Sequence, residues 1–91
     1  MVRIATAGNT INPALLVLKA KGYEVRCKTD EEGQIVTYWA RRDGNVFIGE
    51  DPVSVLGLVT LWEHRGEDWK TRDNEPFLFE ELEELEDHWL Q

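Results

Sequence analysis

A single cysteine leaves no intrachain disulfide framework. Cys27 lies between Arg26 and Lys28 in an alternating stretch, which marks a structural thiol rather than a nucleophile and makes a reducing, cytoplasmic setting the expectation. No apolar run approaches the roughly 20 residues that cross a bilayer, and the first residues lack the basic-then-apolar pattern of a secretory leader. Histidine is nearly as scarce as cysteine. His64 and His88 are far apart, neither belongs to a His-x-x-His or Cys-x-x-Cys pair, and no metal or cofactor is expected. Each follows an acid near the end of an expected helix, where a histidine ordinarily serves as a dipole partner.

Glycine is sparse where a nucleotide loop would need it. "TAGNTINPAL", Thr6 to Leu15, places one glycine, Gly8, before an expected helix, whereas a dinucleotide fingerprint needs several and a Walker loop ends in Lys beside Ser or Thr. Asn12-Pro13 accounts for the stretch more simply. Asn accepts a backbone N–H as a helix cap, and Pro at the first helical position loses no hydrogen bond.

The most informative lack is of positive charge at one end. Residues 1–72 hold ten acids and ten bases, whereas residues 73–91 hold eight acids and no Lys or Arg, so the whole net charge of −8 lies in the last fifth of the chain. Such an end repels nucleic acid and accelerates encounter with basic proteins in a salt-dependent way.

What the chain does contain fits one domain, 1–91. "VRIATA" alternates as a short strand, and the helix from Asn12-Pro13 ends at Gly22. "YEVRCKT" alternates with Tyr23, Val25 and Cys27 on the core side. "DEEG" turns the chain into "QIVTYWARR", and Asp43-Gly44 signals a type I′ hairpin that sets Arg42 opposite Asn45, Ala40 opposite Phe47 and Trp39 opposite Ile48. Of the two hairpin faces, Ile35, Thr37, Trp39, Val46 and Ile48 are rich in β-branched residues and are expected in the core. Asp51-Pro52 opens "PVSVLGLVTLWEHR", whose Val55, Leu58, Val59 and Trp62 form one stripe, with Gly57 attributed to close packing and Gly66 as the stop.

Glu75-Pro76 then introduces a last helix with Leu78, Leu82, Leu85 and Trp89 on one stripe. Six pairs of acids lie three or four apart along it, which costs the isolated helix about 1–3 kcal/mol. Burying Leu82, Leu85 and Trp89 returns roughly 5–8 kcal/mol, so docking on this chain or on another decides its fate. The expected architecture is α+β, in the order β-α-β-β-β-α-α: a four-stranded, mainly antiparallel mixed sheet with helices on one face and an acidic C-terminal helix.

Three roles follow from these features. The first is a protein-binding module in which Glu80, Glu81, Glu83, Glu84, Glu86 and Asp87 steer a basic partner and Trp69 and Arg65 anchor it; homodimerisation is compatible with it. The alternative for Arg65 and Trp69 is local: Trp69 folds back on the helix end and Arg65 pairs with a nearby acid. The second role is single-stranded nucleic-acid binding on a sheet face that gathers Arg3, Arg26, Lys28 and Arg42 around Tyr38 and Phe47, opposed by Glu24 and by the overall charge. The third is a ligand-binding or enzymatic domain built on the Thr6–Asn12 loop or on Glu63, His64 and Asp68.

"GNTINPALLVLKAKGYEV" and "LGLVTLWEHRGEDW" together resemble small bacterial αβ proteins of uncharacterised function, and the chain's size and acidity are similar to those of immunity proteins that neutralise bacterial toxins. That resemblance implies an inhibitory role on a protein partner and assigns no site residue.

Overall fold

A computed structural model describes residues 1–84. Two helices lie on one face of a three-stranded sheet: α1 (Ile11–Ala20), β1 (Glu24–Thr29), β2 (Ile35–Arg42), β3 (Asn45–Gly49), α2 (Pro52–Arg65) and a short α3 (Leu78–Glu83). The strands are ordered β1-β2-β3 and every pairing is antiparallel. The fold is therefore α+β, with three strands among the described residues in place of the expected four.

The missing strand is Val2–Thr6. Its alternation is real, but the segment joins no sheet, and Val2 and Ile4 remain 81 % and 78 % exposed. Alternation supplies the side-chain pattern of a strand; only a neighbouring edge supplies its hydrogen bonds.

The helix starts differ in chemistry. At α2, Asp51 accepts hydrogen bonds from the Ser54 backbone N–H (2.8 Å) and hydroxyl (2.9 Å), and Pro52 follows as expected. These bonds hold the Asp51 carboxyl below the usual carboxylate range. At α1 the chain enters through one tight turn, Gly8–Thr10, and the helix already begins at Ile11. Asn12 is thus inside the helix rather than capping it. Thr10 Oγ1 instead donates to the Ala7 carbonyl (2.6 Å), and Pro13 still falls in the first turn, where no N–H is needed.

The hairpin has the expected register, with Asp43 and Gly44 both at positive φ (51° and 82°). That combination defines the type I′ turn. Register across β1 and β2, which pairs Val25 with Ala40 and Cys27 with Tyr38, decides which sheet face meets the helices. Leu18 of α1, Val55 and Val59 of α2, Tyr23 and Ala40 form the buried cluster, with Val25, Tyr38, Phe47 and Leu56 packed around it. The core face is therefore that of Tyr38, Ala40 and Phe47. Ile35, Val46 and Ile48, expected inside, lie on the opposite face and are about half exposed or more. Ala40 explains the choice: a methyl group at the sheet centre lets two helices approach closely, and β-branching reports strand preference rather than burial.

Two ties close the helical layer. Lys21 Nζ meets both oxygens of Glu63 at 2.9 and 3.0 Å, joining the end of α1 to α2. Arg42 Nη1 donates to the Lys21 carbonyl (2.8 Å), and its guanidinium lies 5.9 Å from the Tyr23 ring centroid. Gly22, at φ +89°, makes the chain reversal that brings these groups together. Gly57 has no such reason, because a Cβ there would meet nothing within 4 Å.

Candidate interaction surface

The structure divides the expected nucleic-acid face between two sides of the sheet. Tyr38 and Phe47 face the helices, and Phe47 packs against Tyr23 and Trp62 at centroid distances of 5.9 and 5.8 Å. Arg42 is spent on the end of α1. Arg26 and Lys28 lie on the outer face, opposite Trp39 and Thr37. Basic groups and stacking aromatics are thus not gathered as expected. The reason is period-two geometry, since a change in facing moves every side chain of a strand together. Cys27, expected to be sheltered on the core side, is exposed on edge strand β1.

The other candidate chemistries are drawn into local ties. Glu63 is paired with Lys21, and Asp68 with Arg72 (2.7 Å), leaving His64 exposed beside no acid–base partner of the expected set. No residue of the Thr6–Asn12 turn takes a positive φ, so the turn lacks the alternating αR–αL backbone that forms a phosphate-cradling nest. The shallow concavity beside it is also lined by Asp51, which disfavours an anion. Among the described residues, no cluster of three or more His, Cys, Asp or Glu side chains is placed to hold a metal ion. No described helix is long and apolar enough to cross a membrane.

Arg65 follows the local alternative. Its Nε donates to the Trp69 carbonyl (2.9 Å), while Nη2 donates to the Lys70 carbonyl (3.1 Å) and the Glu75 carboxylate. Glu75 also accepts the Arg72 backbone N–H (2.7 Å). The Arg65 hydrogen bond, followed by that of Arg72, holds the Glu75 carboxyl down to about 2 from an ordinary 4.5 and raises the Arg65 pKa in return. This arginine organises the loop after α2 instead of offering a free donor fork.

Trp69, which that loop positions, is 46 % exposed. With Leu58, Leu61 and Trp62 of α2 it forms one wall of an apolar groove, and Val46 and Ile48 of edge strand β3 form the other. A second concavity continues from Leu61 and Trp69 past Pro76 to Phe77, Leu78 and Phe79. Glu80, Glu81, Glu83 and Glu84 follow at once, all exposed, with Leu82 also 64 % exposed. Glu86, Asp87, Leu85, His88 and Trp89 lie outside the described residues.

Leu58, Leu61, Val46 and Ile48 were not legible as groove residues. On the helical wheel Leu58 belongs with the core stripe, and the β-branched pattern of Val46 and Ile48 points them to the core face. The available signal was surplus: α2 carries more apolar side chains than one sheet contact can bury, and Leu58 and Leu61 are the excess. Comparison with known protein families, curated proteins and solved structures found no match, so the surfaces themselves carry the functional reading.

Proposed function

We propose that this chain is a protein-binding module that engages a basic partner, with inhibition of that partner, as in an immunity protein, the concrete form. One observation carries the reading: an exposed apolar groove anchored by Trp69 runs past Phe77, Leu78 and Phe79 directly into four exposed glutamates. Scattered surface apolar residues need no explanation, but a contiguous set beside charge of one sign has the composition of an interface. Tryptophan supplies the buried anchor, and the rim acids supply steering and the choice of a basic surface.

The probe is the basic protein that co-purifies with the chain from its native host, titrated as a pure component. Neutralising Glu80, Glu81, Glu83, Glu84, Glu86 and Asp87 to their amides is expected to slow association about tenfold at low salt. Trp69→Ala is expected to speed dissociation, costing at least about 2 kcal/mol of affinity if this ring is the anchor. Binding left unchanged by both variants overturns the reading.

A further inference from the structure

The outer sheet face is uncovered and meets the groove along edge strand β3, where Val46 and Ile48 belong to both, and its chemistry is the complement of the acidic stripe. Trp39 stands at its centre opposite Ile48 and Arg26, while Arg41 pairs across to Val46 on one side and Glu24 on the other. Ile35, Val46 and Ile48 are 48 %, 50 % and 60 % exposed. Arg41 lies 5.8 Å from the Trp39 ring centroid. Arg41 and Arg26 both hold Glu24, at 2.7 and 3.4 Å, so that acid is shared between two bases, and Lys28 adds a third. The result is an apolar strip rimmed by net positive charge, on a chain whose net charge is −8.

The chain carries the complement of this strip. Leu78 and Leu82 are exposed beside Glu80, Glu81, Glu83 and Glu84. Within one molecule the entry to α3 lines a concavity with Leu61, Arg65 and Trp69 at the end of α2, whereas the basic part of the strip lies around Trp39 on β1 and β2. We propose that the outer face binds the acidic stripe of a second copy, and that the exchange is reciprocal. Two such contacts related by a two-fold axis close the assembly and count every pairing twice, which helps so short a helix approach the roughly 1,600 Å² that a stable interface buries. The inference rests on the acidic-stripe reading above and gives that stripe an occupant in the absence of a basic partner.

The test is the mass of the full chain in solution by light scattering, at about 50 mM and about 500 mM salt. The expected species at low salt has twice the 10.6 kDa chain mass and dissociates as salt rises. A face variant, Arg26→Glu with Lys28→Glu, and a stripe variant, Glu80→Lys with Glu81→Lys, Glu83→Lys and Glu84→Lys, are each expected to weaken self-association at least about tenfold. Circular dichroism confirms that each is folded. Mixing them pairs acidic stripe with basic face and basic stripe with acidic face, and is expected to restore a one-to-one heterodimer. A monomeric wild-type chain, a dimer indifferent to both reversals, or folded variants that stay apart on mixing overturns the proposal. A monomer that still captures the basic protein through its glutamates removes the dimer and leaves the partner reading standing; a salt-sensitive dimer that binds no basic protein does the reverse.

Discussion

Glu75 joins stability to pH through one carboxylate. Its folded pKa, about 2, is depressed below the ordinary 4.5, so the stabilisation it gives is fully present above pH 4.5 and is lost as pH falls toward 2. Acid titration of thermal stability should show that loss, and Glu75→Gln should flatten the curve across the same window while lowering stability near neutrality. Gly57 gives the opposite kind of test. It is exposed inside α2 with open space where a Cβ would stand, so Gly57→Ala is expected to stabilise by about 1 kcal/mol, raising Tm by about 4–8 °C. The close packing that its sequence position suggests is not there. At this scale the capping role of Asp51 was legible because Asx-Pro ahead of an apolar stripe has one simple solution; Asn12 does not cap, because the Ala7 and Gly8 carbonyls of the preceding turn already accept the Thr10 and Ile11 N–H groups.

Elements were read well where the signal was local and poorly where it depended on a partner. Asp43-Gly44 dictated its own hairpin register, and the stops at Gly22 and Gly66 are backbone properties of those positions. Val2–Thr6 had a strand's pattern but no edge to join, and the facing of β2 was settled by its pairing to β1 across a turn whose register no dipeptide fixes. Paired substitutions test the facing directly. Ala40→Val places extra volume beneath Leu18 and Val55 and is expected to cost about 1–3 kcal/mol in denaturant unfolding, whereas Ile48→Thr on the open face should stay within about 0.5 kcal/mol. The reverse order would return Ile48 to the core. Removing Met1–Ile4 should likewise change stability by no more than about 0.5 kcal/mol, since its apolar side chains stand in solvent.

Across the whole molecule the charge asymmetry was plain from counting, whereas the surface it serves was not. Counting acids located the negative end, but only the folded arrangement shows that an apolar groove leads into it and that the basic residues surround Trp39 rather than Tyr38 and Phe47. Single-stranded nucleic acid should therefore give no gel shift at about 150 mM salt, because the aromatics expected to stack on bases are packed under helices and the net charge repels phosphate. A shift abolished by Trp39→Ala would show that the outer face reads nucleic acid after all.

Three tryptophans occupy two kinds of surroundings: Trp39 on the outer face, and Trp62 and Trp69 lining the groove, where Trp62 also packs against Phe47. Replacing the other indoles by Phe leaves a single emitter at each location in turn. Fluorescence quenching then separates outer-face occupancy at Trp39 from groove occupancy at Trp62 and Trp69 without any added dye.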